Sequence, residues 1–130
     1  MKSYKTQHTI LDNLRYLAYF SCAAPNGRHS VGVAVSETDS PLGPYTDPLG
    51  VPLIYHNEDS VVGCIDQTYF KDPETGRDFI IWKTDDILPV IRTGVIYIQE
   101  IEAGGTAFAE GSEKTAMIWV DRSGTTNILQ

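Results

Sequence analysis

Several features that mark common protein classes are scarce in this chain of 130 residues. Its two cysteines, Cys22 and Cys64, do not have the spacing of a metal-binding C-x-x-C motif; two buried thiols are expected, and a disulfide stays open. There is no basic run and the net charge is −7, which disfavours binding to nucleic acid or to an anionic membrane surface. No apolar stretch approaches the roughly 20 residues of a membrane span, and the first ten residues lack the apolar region of a signal peptide.

Helix signals are also weak, whereas strand signals are frequent. No window sustains an apolar stripe at helical spacing with capping residues at its ends. The clearest strands are "DFIIWKT" and "GVIYIQEIE", and the other candidates are "LRYLAYFSC", "HSVGVAVSE", "VPLIYH", "CIDQTYF" and "TAMIWVD". Turn residues separate these runs. The pattern predicts an all-β protein of short antiparallel strands.

A weak internal repeat organises these strands. At an offset of 62 residues, "YLAYFS" from Tyr16 falls on "DFIIWK" from Asp78, and Gly32 and Gly43 fall on Gly94 and Gly105. Serial four-stranded units are typical of β-propeller blades, of which a closed ring needs about four to eight. We therefore predict about two blades, approximately residues 3–60 and 61–121, followed by a coil tail at 122–130. The alternative is a small β-sandwich.

The stretch "DSPLGPYTDPLG", Asp39–Gly50, is rich in proline and glycine but also holds large apolar residues that a flexible linker does not need. By the repeat it follows a middle strand, turns at Gly43 and places Tyr45 at the outer edge of the first blade. Pro44 and Pro48 would stiffen the turn and withhold backbone donors where strand pairing ends. It is predicted to be a shaped turn that closes the blade.

Three stretches carry a resemblance to a known family. They are "YLAYFSCAAPNGRHSVGVAVSETDSPLGPYTD", "VVGCIDQTYFKDPETGRDFIIWKTD" and "GVIYIQEIEAGGTAF". In order and spacing they resemble the strands and turns of glycoside hydrolase family 43, a family of five-bladed β-propeller enzymes of the arabinofuranosidase and xylosidase type. The resemblance covers about residues 10–110 and implies that this chain is a part of such a propeller.

The resemblance also implies a chemistry. Enzymes of this family invert the anomeric centre with a general base, a general acid and a third carboxylate that raises the pKa of the acid and orients it. Base and acid then stand roughly 6.5–9.5 Å apart, which leaves room for water. Asp66 in "GCIDQ" matches the third carboxylate, whose charge would disfavour ionisation of the acid. An aspartate at this point of a strand is also a common turn or capping residue.

Two departures from the family pattern flank Asp66. Cys64 replaces the usual serine and removes a hydrogen-bonding hydroxyl, and Gln67 replaces the usual proline, which is expected to loosen the backbone. The base and the acid are expected on blades outside this sequence. Glu110 superficially matches an acid motif, but the repeat places it in an outer-strand turn, so we do not assign it that role.

Other polar residues are weaker candidates for sugar contacts. His29 is the last residue of the loop "PNGRH" and is either a substrate-binding residue or a plain loop or strand-start residue. Lys83 and Asp85 follow the strongest strand of the second blade. Two interpretations of them have equal weight: residues of a loop that lines the mouth of the central funnel, or residues of a solvated face. Trp82 and Tyr19 are expected in the core between blades rather than as stacking platforms.

The resemblance implies a part of a glycosidase that acts on arabinose- or xylose-containing polysaccharide, with carbohydrate as its partner and no cofactor or metal cluster. Because two of the three acids are missing, the chain alone is expected to be inactive and to self-associate through exposed blade faces. A non-catalytic carbohydrate-binding or structural β-module is the alternative. An extracellular location is suggested by the resemblance only.

Overall fold

The computed structural model describes residues 6–10, 15–25, 27–56, 62–86, 94–121 and 123–130, and all regular structure there is β-strand. The strands are β1 (Thr6–Ile10), β2 (Tyr16–Ala23), β3 (His29–Ser36), β4 (Tyr45–Thr46), β5 (Val62–Lys71), β6 (Asp78–Asp86), β7 (Val95–Ile101), β8 (Thr115–Val120) and β9 (Thr126–Ile128). They form one sheet of four strands and one of five, each in chain order. Within the described ranges there is no helix that could cross a membrane.

The first sheet contains β1 to β4, and every neighbouring pair is antiparallel. Its outer strand β4 lies in the proline-rich stretch and pairs Tyr45 with Ser36. Gly43 has a φ of 85°, a left-handed conformation that glycine adopts without steric cost, and the amide of Glu37 donates to the carbonyl of Pro44 over 2.8 Å. The prediction that this stretch is a shaped turn feeding an outer strand is confirmed.

The second sheet contains β5 to β9 and differs from the prediction of four strands. Its fifth strand, β9, lies in the segment 122–130 that was expected to be coil, and pairs with β8 from Ile118↔Ile128 to Val120↔Thr126. The predicted strand "VPLIYH" is also absent: Ile54 makes only an isolated bridge to Val31. The strand β9 has only the three residues "TNI", which are too few to show the alternation of side chains by which a strand is recognised in a sequence.

The core lies between the two sheets. Its buried side chains come from the first sheet and the bridge segment on one side and from β5, β6 and β7 on the other: Leu17, Tyr19, Val31, Val33 and Ile54, against Cys64, Ile80, Trp82 and Ile101. Tyr19 and Trp82 are the largest of these fully buried side chains, so they are packing residues, as predicted. Cys22 and Cys64 are both buried free thiols.

The 62-residue repeat is visible in the structure. Shifting β2 by 62 residues gives 78–85, which lies inside β6, and the left-handed Gly43 falls on Gly105, whose φ is 73°. The repeat thus holds for β2 and β6 and for the glycine turn, whereas β4 falls on 107–108, where Phe108 makes only an isolated bridge to Ile101. The predicted all-β class of serial antiparallel blades is confirmed.

Candidate functional site

Asp66 lies on β5, the edge strand of the second sheet that packs against the first. Its backbone φ is 55°, the left-handed region that non-glycine residues rarely adopt, and it falls in a β-bulge between Ile65 and Thr68. The bulge turns the side chain outward, with 41% of its surface exposed, and its Oδ2 lies 3.0 Å from Nζ of Lys83. A carboxylate at a strained, solvent-accessible bend is a feature of functional sites.

A second pair of predicted residues joins the two sheets. Nδ1 of His29, at the start of β3, contacts Oδ2 of Asp85 on β6, and both side chains are partly exposed. The backbones meet closely here: a Cβ at Gly63 would lie 2.8 Å from both the nitrogen and the oxygen of His29. Glycine at this position lets the strand β5 approach the first sheet.

The two pairs occupy the same stretch of the β5–β6 ladder. Lys83 is opposite Ile65, and Asp85 is opposite Gly63, so the two β6 residues are about 7 Å apart along the strand. Each pair combines one carboxylate with one basic group, and both can exchange hydrogen bonds with hydroxyls. No group of three or more His, Cys, Asp or Glu that could hold a metal ion occurs among the residues that the structure describes.

Gln67 was expected to loosen the strand, and the structure shows the opposite. The side chain is 1% exposed and bridges to the first sheet. Its Nε2 donates to the carbonyl of Tyr19 over 3.0 Å, and its Oε1 accepts from Oγ of Ser21 over 3.0 Å. Both the nitrogen and the oxygen of the side-chain amide thus have a hydrogen-bond partner, as a buried polar group requires.

Cys64 also compensates for the hydroxyl that its serine counterpart would supply. Its single S–H has two carbonyl acceptors within reach, that of Ile54 at 3.4 Å and that of His29 at 3.7 Å from Sγ. Burial raises the pKa of this thiol to about 12, so it is an inert packing group rather than a nucleophile. Burial also raises the pKa of Tyr19, whose hydroxyl donates to the carbonyl of Gly105 over 2.7 Å.

The bulge explains why sequence reasoning missed Gln67. In a regular strand Cys64 and Gln67, three residues apart, point to opposite faces. The extra residue in the bulge reverses the alternation, and both side chains are buried towards the first sheet. A period of two therefore places Gln67 on the wrong face, and its polar neighbours Asp66 and Thr68 gave no contrast that would single it out.

Glu110, which was not assigned a catalytic role, is an exposed residue of a turn that ends at Gly111, with a φ of 73°.

Two consecutive antiparallel units that pack face to face are the arrangement of neighbouring blades in a β-propeller. The chain belongs to glycosyl hydrolases family 43, whose family model matches residues 11–126. A comparison with curated proteins finds no significant match.

Three solved structures superpose on this chain and share its fold. A thermostable family-43 glycoside hydrolase superposes with a TM-score of 0.69 at 21% identity, over 92% of this chain and 36% of that one. An α-L-arabinofuranosidase from Clostridium thermocellum ATCC 27405 gives 0.61 at 21% identity, over 88% and 35%. An endo-arabinase from Bacteroides thetaiotaomicron VPI-5482 gives 0.67 at 17% identity, over 97% and 43%. The chain thus spans 35–43% of the length of these structures.

Proposed function

We propose that this chain supplies two blades of a glycoside hydrolase that cleaves O-glycosyl bonds in arabinose- or xylose-containing polysaccharide by single displacement. The observation that carries the proposal is Asp66: it matches the family motif and sits on a left-handed bulge with an accessible carboxylate. Solved relatives that the chain resembles include an α-L-arabinofuranosidase and an endo-arabinase, which supports the substrate class.

In this proposal Asp66 acts on a general acid supplied by another blade. Its negative charge disfavours ionisation of a neighbouring carboxyl and keeps that carboxyl protonated at the working pH. Lys83 holds the Asp66 carboxylate by an ion pair and limits the directions in which it can point. His29 and Asp85, two ladder positions away, offer hydrogen bonds to sugar hydroxyls and close the contact between the blades.

One carboxylate cannot perform both proton transfers of an inverting hydrolysis, so the 130-residue chain alone is expected to be inactive. The purified chain should show no turnover of aryl α-L-arabinofuranoside or aryl β-D-xyloside. Turnover by the chain that disappears in Asp66→Asn would contradict this expectation, because it would place a complete set of acids within these residues.

The role of Asp66 is tested by expressing this chain in one reading frame with the coding sequence that flanks it. Asp66→Asn should lower kcat, at most by the roughly 10²–10⁴-fold that the general acid itself contributes, because a smaller fraction of that acid would be protonated. Without the Asp66 charge the pKa of the general acid falls, so the alkaline limb of the pH profile should move to lower pH. Full activity with an unchanged profile in Asp66→Asn would exclude the role.

A non-catalytic carbohydrate-binding module is the second candidate, and the two polar pairs favour it, because they offer hydrogen bonds without needing a base or an acid. Titration of the chain with arabino- and xylo-oligosaccharides distinguishes the two. Binding that weakens in both Lys83→Met and Asp85→Asn, with no hydrolysis by the extended protein, would favour the module.

A further inference from the structure

The strand β5 is held at two points, one on each side of Asp66: by the segment at Ile54 that bridges to Val31 of β3, and by the first sheet itself. On the N-terminal side, Sγ of the fully buried Cys64 donates to the carbonyl of Ile54. On the C-terminal side, the buried amide of Gln67 is held by Tyr19 and Ser21. Only the two residues between these anchors, Ile65 and Asp66, are left to absorb the extra residue of the bulge.

The conformation between the anchors is unfavourable on its own. A non-glycine residue in the left-handed region persists only where the surrounding structure fixes it. The register of the β5–β6 ladder runs from Ile65↔Lys83 directly to Thr68↔Ile81, so Asp66 and Gln67 together face the single residue Trp82 of β6, as in a β-bulge. Of the contacts described at this bend, the hydrogen bonds of Gln67 are the ones fully buried between the two sheets.

We propose that Gln67 is a positioning residue for Asp66: its two hydrogen bonds to the first sheet hold the bulge and direct the Asp66 carboxylate towards Lys83. The amide is suited to the task because it donates to one group, the Tyr19 carbonyl, and accepts from another, the Ser21 hydroxyl. Contact between the two blades thereby sets the geometry of the acidic residue. The effect of Gln67 on catalysis rests on the proposed function, whereas its effect on the conformation of Asp66 does not.

The test is Gln67→Met, which keeps the length and removes both hydrogen bonds. The readout is the pair of ¹³Cα and ¹³Cβ chemical shifts of Asp66, which report the left-handed backbone, together with the nuclear Overhauser contact between Asp66 and Lys83. Both signatures should be present in the unaltered chain. In Gln67→Met the shifts should move to extended-strand values and the Lys83 contact should be lost.

The matched control is Tyr19→Phe, which removes a buried hydrogen bond of the same interface, from the Tyr19 hydroxyl to Gly105, and leaves the Tyr19 carbonyl in place. It should lower stability while leaving the Asp66 signals unchanged. If Gln67→Met does not fold, Ser21→Ala decides, since it removes one of the two bonds and should shift the Asp66 signals part of the way. The proposal is overturned if Gln67→Met folds and its Asp66 signals are unchanged. If Gln67→Met does not fold, unchanged Asp66 signals in Ser21→Ala overturn it. Equal changes of the Asp66 signals in Tyr19→Phe also overturn it.

Activity supplies an independent readout. In the extended protein, Gln67→Met should move the alkaline limb of the pH profile in the same direction as Asp66→Asn, and Tyr19→Phe should not. If no form of the protein hydrolyses glycosides but the Asp66 signals respond as described, the proposed function fails and the positioning role stands. If activity is found and the Asp66 signals do not respond, the reverse holds.

Discussion

The two sheets are related by a sequence repeat, yet the corresponding strands β2 and β6 contribute opposite faces to the core between the sheets. Leu17 and Tyr19 on β2 are 1% and 0% exposed against the second sheet. The positions that correspond to them on β6 at the offset of 62 residues, Phe79 and Ile81, are only partly buried. The second sheet instead buries Ile80 and Trp82, which project from the other face of β6.

This difference is what serial blades require. A blade in a row contacts one neighbour through one face and the other neighbour through the opposite face, so β2 and β6 use opposite faces where the two sheets meet. The comparison teaches that partial exposure of Phe79 and Ile81 is a property of their place in the row, since their counterparts in the first sheet are core residues. It also supplies matched pairs for mutation.

The largest expected difference is between two adjacent isoleucines of β6. Ile80→Ala removes a side chain that is 0% exposed in the core between sheets, and should lower the free energy of unfolding by about 2–5 kcal/mol. Ile81→Ala changes the partly exposed face and should cost about 1 kcal/mol or less, because little cavity is created. Urea unfolding followed by tryptophan fluorescence measures both. Equal losses would show that both faces of β6 are packed.

A second pair compares glycines related by the repeat. A Cβ at Gly32 would lie 2.5 Å from Cζ of Phe20, whereas a Cβ at Gly94 would meet no atom within 4 Å among the parts of the chain that are described. Gly32→Ala should cost about 1–3 kcal/mol, since the Phe20 ring must move, and Gly94→Ala should change stability by less than about 1 kcal/mol.

The same urea titrations measure this pair, and Phe20→Leu provides the control. If the Phe20 ring causes the loss, Gly32→Ala should be less harmful in the Phe20→Leu background. A loss of the same size in both backgrounds would indicate that the backbone of β3, and not the ring, excludes a side chain at this position.

Strand pattern and repeat were available from the sequence because both depend on local alternation and on turn glycines such as Gly43 and Gly105. Asp66, Lys83, Asp85 and His29 were named from the sequence, but the contacts of Asp66 with Lys83 and of His29 with Asp85 were not, and the functional roles of these residues stay predictions. The bulge at Asp66 was not predictable, since it results from the fit of β5 onto the first sheet. Because the bulge reverses the alternation of side chains along β5, a two-residue period assigns Gln67 to the wrong face of the strand. Long-range packing decided what local patterns could not.

The smallest expected effect is a loss of stability in acid that arises from carboxyl groups of the second sheet. Hydrogen bonds from Arg77 lower the pKa of Glu100, and hydrogen bonds from Thr75 and Ser123 likewise lower the pKa values of Asp72 and Asp121. These carboxyls all belong to the second sheet or its turns. A lowered pKa contributes stability above the pKa that the group has in the unfolded chain, and this contribution is lost as the pH falls through the lowered value.

Stability should therefore decline on acidification below about pH 4.5, near the unperturbed pKa of glutamate, and the second sheet should be affected first. Urea midpoints measured between pH 6 and pH 3 should fall less steeply in Glu100→Gln, because one of the groups that take up a proton is gone. Arg77→Gln removes the partner that donates to Oε1 of Glu100 over 3.0 Å, and should flatten the profile by a similar amount. Since both variants break one interaction, the double variant should be no flatter than either single one; additive flattening would mean that Arg77 and Glu100 respond to acid separately.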